Sequence, residues 1–117
     1  MENNYLLIII LNKEEYEEDI SSALIEVGIT DATMIDSEGL GKFLAEGIPI
    51  FAGFRFGLES AKQYRKVIIG VNDDPNVIEE LIIILKDSNI DFNEPGIGMM
   101  MTLNLESLAG TPPEIFE

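Results

Sequence analysis

The chain has no histidine and no cysteine in its 117 residues. Without cysteine there is no disulfide framework and no thiolate chemistry. Without histidine the commonest general base and the commonest zinc or copper ligand are missing. Serine–histidine and cysteine–histidine catalysis are therefore excluded, and only carboxylates, lysine, tyrosine and backbone amides remain. Positive charge is scarce: 7 lysines and arginines stand against 22 acids, for a net charge of −15. That balance argues against a nucleic-acid backbone as partner. Long apolar runs are lacking too. Tyr5–Leu11 is far too short to span a bilayer. It follows an acidic start with no cleavage-site pattern after it. A cytoplasmic protein without direct membrane insertion is expected.

What is present suits one globular domain over residues 1–117. Hydrophobic content of 46% and charged content of 25% are ordinary for a folded chain, and the length supports one two-layer core. Tyr5–Leu11 reads as a central strand. Asn12, with Glu15 three residues on, has the spacing of a capping box. Tyr16, Ile20, Ala23, Leu24 and Val27 mark one face of an amphipathic helix, and Gly28 is placed to end it. Ala32–Asp36 alternates as a second strand, and Lys66–Val71 is a third. Asp74 and Pro75 predict a second helix start, with proline in the first helical position. Val77, Ile78, Leu81, Ile82 and Leu85 form its core face, and Gly98–Leu105 is the last strand. Residues 109–117 form a tail without a period.

The order is strand, helix, strand, long insertion, strand, helix, strand. It predicts an α+β, ferredoxin-like βαββαβ sandwich: a four-stranded antiparallel sheet with both helices on one face. The other face would be bare. Tyr5, Leu7, Ile9, Met99 and Met101 cannot all point at the helices, so the bare face is expected to pack on other subunits in a closed ring.

The insertion, residues 36–66, is glycine-rich yet carries Phe43, Ile50, Phe51, Phe54 and Phe56. It also holds Lys42, Arg55, Lys62, Arg65 and Lys66, five of the seven basic residues, against only Glu46 and Glu59. A basic, apolar segment on an acidic chain points to an interaction surface. The plainer alternative is a long loop that happens to hold the lysines.

Residues 27–42, VGITDATMIDSEGLGK, resemble the end of the first helix, the second strand and the loop entrance of nitrogen regulatory PII proteins. Gly28, Thr33 and Gly39-Leu40-Gly41-Lys42 carry the likeness, and it extends in order over about residues 5–108. The resemblance implies a homotrimer. It implies an adenine nucleotide as effector in clefts between subunits, and a T-loop at 36–66 that touches a transporter or enzyme. It implies a signal carrier, not a catalyst. The site it implies is Thr33, Gly39, Gly41, Lys42, Gly96 and Gly98; the partner-binding loop is Phe43, Ile50, Phe51, Phe54, Arg55, Phe56, Lys62 and Arg65. The chain departs from the family pattern at Met99, where a phosphate-holding lysine follows the second glycine. It departs again near Gly110 and Pro112, where the family has two arginines, and at Phe43, where it has a glutamine.

Each candidate has a structural alternative. Gly39 and Gly41 serve either close approach to a ligand or a tight turn; Gly96 and Gly98 are the same case. Lys42 either holds an anion or is simply solvated. Arg55, Lys62, Arg65 and Lys66 either replace the missing arginines or pair with the acidic body. The Met99-Met100-Met101 run suits packing better than Cu(I). The acids at Glu14–Asp19 lack the alternation of a calcium loop, so no metal site is expected. An acylphosphatase-like enzyme would need an arginine near the first strand, where only Lys13 is available. A ligand-independent adaptor that docks through the same loop remains the second reading.

Overall fold

The structure, a computed structural model, describes residues 3–41 and 64–111. Strand β1 spans Asn4–Leu11. A 3₁₀ turn at Glu14–Tyr16 leads into helix α1, Glu17–Glu26. Strands β2, Thr33–Asp36, and β3, Lys66–Asn72, follow. Helix α2 is Val77–Asp87 and strand β4 is Gly98–Leu105. The sheet order is β2-β3-β1-β4, and each neighbouring pair is antiparallel. This is the expected ferredoxin-like α+β architecture, with β2 and β3 meeting as a pair at Asp36 and Lys66.

Both helices end in the same way. The Gly28 amide donates to the Ile25 carbonyl and the Ile29 amide to that of Leu24; Asn89 and Ile90 repeat the pattern onto Lys86 and Leu85. The turning residues are left-handed, Gly28 at φ 91° and Asn89 at φ 62°. Each is followed by an isoleucine that closes the core, Ile29 and Ile90.

The helix starts differ from expectation. No capping box forms at Asn12. The chain first makes the 3₁₀ turn, α1 begins at Glu17, and no side chain caps it. The acids Glu17, Glu18 and Asp19 in the first turn suit the helix dipole instead. Asp74 and Pro75 likewise precede the helix, and α2 begins at Val77 after Asn76. Asp74 Oδ1 accepts from the Asn76 amide at 2.8 Å, which makes a local turn in place of a cap.

The core lies between the helices and one sheet face. Leu7, Ile9, Leu11 and Ile68 meet Ile20, Ala23 and Leu24 of α1 and Val77, Leu81 and Leu85 of α2. Gly70 is glycine because a Cβ there would stand 2.8 Å from a methyl of Ile29. On the other face the registers Leu6↔Leu103, Ile8↔Met101, Ile10↔Met99 and Ile8↔Ile69 assemble a second apolar surface. Tyr5, Leu7 and Ile9 therefore share the helix side with Leu11, while Met99 and Met101 lie on the open side.

Candidate functional site

The ends of the 36–66 insertion are tied together at the sheet. The Ser37 amide donates to the Arg65 carbonyl at 3.0 Å, and the Ser37 hydroxyl donates to the same oxygen at 3.3 Å. Alternation along β3 then sends neighbouring residues to opposite sides. Tyr64 and Lys66 turn toward α1. The Tyr64 hydroxyl donates to Glu17 Oε2 at 2.7 Å, and the Lys66 ammonium donates to Glu17 Oε1 at 3.0 Å. Lys66 also pairs with Asp36 at 3.4 Å and lies 5.9 Å from the Tyr64 ring centre. The Tyr64 and Lys66 hydrogen bonds hold the Glu17 carboxyl below its usual range. Burial, and then the bond to Glu17, push the Tyr64 phenol well above its own. The Glu17 bond in turn raises Lys66.

Arg65 goes the other way. The register Leu11↔Lys66 continues outward to Asn12 beside Arg65, and Arg65 Nε donates to Asn12 Oδ1 at 3.1 Å. The register Leu11↔Gly98 continues likewise, and the Asn12 amide donates to the Ile97 carbonyl at 2.9 Å. A Cβ on Gly39 would stand 3.1 Å from Arg65 Nη1 and 3.2 Å from its Cζ. One side chain thus touches the loop entrance and, through Asn12, reaches the Gly96-Ile97-Gly98 turn. Of the two glycine pairs, Gly39 lies against Arg65 itself, and the Gly96–Gly98 turn is linked to it only through Asn12.

The glycines do not all serve the same end. Gly98, at φ 152°, lacks a side chain because a Cβ would collide with the Ile10 carbonyl oxygen. That accounts for it through sheet closure alone. Gly96, at φ 90°, has open space around it, so its backbone conformation is what favours glycine. Gly39 is where the absent Cβ makes room for a charged group. Gly41 follows Leu40 in a helical conformation. Thr33 is set apart from these residues. It is exposed, paired with Ile69 on the open face, and is not brought to the cluster. Lys42, Phe43, Ile50, Phe51, Phe54, Arg55, Phe56 and Lys62 lie outside the described residues.

A groove of about 590 Å³ opens at the other end of the sheet, among Gly28–Asp31, Val71–Asp74 and Leu108–Thr111. Its lining includes Asp31, Asp73 and Asp74 and no lysine or arginine. The Asn72 amide nitrogen is buried there without a partner, its Oδ1 accepting from the Asp74 amide at 3.0 Å. The seven residues of β3, at about 3.4 Å each, separate this groove from Arg65. Among the described residues no group of three or more acidic side chains is placed to hold a metal ion. No described helix is long and apolar enough to cross a membrane.

The fold agrees with one group of solved structures. The chain matches Arabidopsis thaliana PII bound to citrate with a TM-score of 0.51 and 21% identity, over 87% of this chain and 77% of that one. The fold is that of the PII proteins. It also matches CPII from Thiomonas intermedia K12 bound to ADP and bicarbonate, with a TM-score of 0.54 and 17% identity over 88% and 86% of the two chains. The same protein bound to ADP, AMP and acetate gives a TM-score of 0.55 and 16% identity over 89% and 87%. No family model and no curated protein matches the sequence.

Sequence reasoning named Gly39, Gly96, Gly98 and Arg65 but missed Asn12, Glu17 and Tyr64. Asn12 was assigned to a cap. Glu17 was one acid in a run, and nothing local distinguishes it from its neighbours.

Proposed function

We propose that this chain is a non-catalytic, PII-like regulatory protein. It forms a homotrimer through the open sheet face and senses a small anionic ligand, such as an adenine nucleotide, in the clefts between copies. It reports to a protein partner, such as a transporter or enzyme, through residues 43–65. The observation that carries this reading is the meeting of Gly39, Arg65, Asn12 and Ile97, which gathers the two glycine segments around a cation. The location of that cluster supports a shared site. Alternation places Arg65 and Asn12 on the open side of the sheet, where a second copy would pack.

The test is a thermal-shift screen of the purified protein against ATP, ADP, AMP, citrate and bicarbonate, with sedimentation velocity on the same sample. A ligand at about 100 times its Kd stabilises by about 2.7 kcal/mol per site. A trimer and a clear shift with one of these ligands are the expected results. A ligand-independent adaptor is favoured by two observations. The groove holds Asp31, Asp73 and Asp74 without a cation, and Met99 stands where a phosphate-binding lysine was expected. No shift with any ligand, together with capture of a partner that Phe54→Ala abolishes, would favour that second reading.

A further inference from the structure

Three successive residues at the exit of the insertion are held by one short stretch of chain. Tyr64 and Lys66 bond the two oxygens of Glu17 on the helix side, and Arg65 bonds Asn12 on the open side. Asn12 and Glu17 are the two ends of the β1–α1 connection. Register explains the arrangement. Leu11, the last residue of β1, stands opposite Lys66, the first of β3, so the chain leaving β1 passes the residues that lead into β3. The connection is not slack. The Asn12 amide donates to the Ile97 carbonyl at 2.9 Å and the Tyr16 amide to the Lys13 carbonyl at 3.2 Å. The Ser21 hydroxyl donates to the Glu17 carbonyl at 2.9 Å. Tyr16, between the two arms, packs against the core. Glu17 carries most of the grip on the helix side, because Asp36, the second carboxylate on Lys66, is 91% exposed.

We propose that the β1–α1 connection is a two-armed clamp that couples the two faces of the sheet at the insertion's exit, with Asn12 and Glu17 as its positioning residues. A displacement of Arg65 on the open face turns the strand that carries Tyr64 and Lys66, and so loads or releases Glu17 on the other. Alternation makes this coupling direct, since residues 64, 65 and 66 cannot move independently. The same movement reaches the entrance of the insertion, because the Arg65 carbonyl accepts from both the amide and the hydroxyl of Ser37. The inference rests on the sensor reading and supplies the route from the shared cleft to the reporting segment.

The experiment is a double-mutant cycle on ¹⁵N-labelled protein: wild type, Glu17→Gln, Asn12→Ala and the double variant, at one pH. Two signals are followed, hydrogen exchange at the Ser37 amide and the Arg65 Nε–Hε resonance. Glu17→Gln is expected to speed Ser37 exchange by up to about fivefold, the scale of a partly exposed pair. It should also shift the Arg65 resonance on the opposite face. The Ile29 amide, at the far end of α1, should keep its rate. The double variant should exchange little faster than the faster single one, because losing either arm already frees the exit. Tyr64→Phe removes one Glu17 bond and no charge, and repeats the test at smaller amplitude should Glu17→Gln fail to fold. Single effects that multiply in the double variant, or an Arg65 resonance that ignores both Glu17→Gln and Tyr64→Phe, show independent contacts and overturn the clamp. Equal speeding at Ser37 and Ile29 shows a general loss of stability and overturns it as well. In either case the sensor reading stands if ADP still stabilises the wild type. Coupled arms in a protein that no nucleotide or small anion stabilises overturn the sensor reading, and the transmitting role with it.

Discussion

Along β1, Leu7, Ile9 and Leu11 are at most 1% exposed, while Leu6, Ile8 and Ile10, on the same strand, are only partly covered. The residues are chemically alike. What differs is what lies over them. One side has two helices; the other continues into Val71 at 44%, Met99 at 57% and Leu103 at 53% exposed. An apolar face of this breadth belongs against another surface. Charge sharpens the point, because the acids crowd the helices and turns while the sheet's open side is uncharged along β1. A net charge of −15 opposes association of copies, and an uncharged face is where that opposition is least.

The largest effect should come from the covered side. Ile9→Ala is expected to destabilise the chain by about 2–5 kcal/mol, read by urea unfolding. Ile8→Glu tests the other side. Its expected result is a smaller loss of protomer stability together with loss of the proposed trimer in sedimentation. If Ile8→Glu unfolds the protomer as severely as Ile9→Ala, the two faces are not energetically distinct. Next in size is Gly28→Ala, where an L side chain at φ 91° should cost about 1–2 kcal/mol in urea unfolding. Asn89→Gly at the matching helix end should change stability by only a few tenths, because both residues tolerate the left-handed turn.

The smallest effect should be at the Glu17 clamp, which is partly exposed and therefore screened. Glu17→Gln is expected to cost no more than about 1 kcal/mol at neutral pH. Its pH dependence has a definite sign. The carboxyl is held below its ordinary 4.5, so the clamp's contribution is complete above that value and fades as pH falls through the lower folded value. Hydrogen exchange at Tyr64–Lys66 should quicken over that acid range in the wild type and show no such step in Glu17→Gln.

Much of the fold was legible in the amino-acid order because the signals are local. YLLIIIL and GMMMTLNL are strands by their apolar runs. The face Ile20, Ala23 and Leu24 makes a helix by its period, and Gly28 ends it by its freedom of φ. The insertion's ends at 36 and 66 were legible for the same reason. The helix starts were misread where a side chain had two possible partners. Asn12 has the spacing of a cap, but strand register sets it beside Arg65, 53 residues away. Asp74 satisfies the Asn76 amide in a turn before the helix begins. Glu17 looks like any acid in its run until β3 brings Tyr64 and Lys66 to it.

The sequence by itself therefore determined the elements, their order, the helix ends and the concentration of basic charge in one segment. These depend on contacts within a few residues, where backbone sterics and hydrophobic period suffice. Only the tertiary structure decided that Gly39, Arg65, Asn12 and Ile97 meet, that the acidic groove lies at the opposite end of the sheet, and that Thr33 stands apart from both. Those outcomes follow from antiparallel register, which joins residues by position across strands and is blind to their distance along the chain.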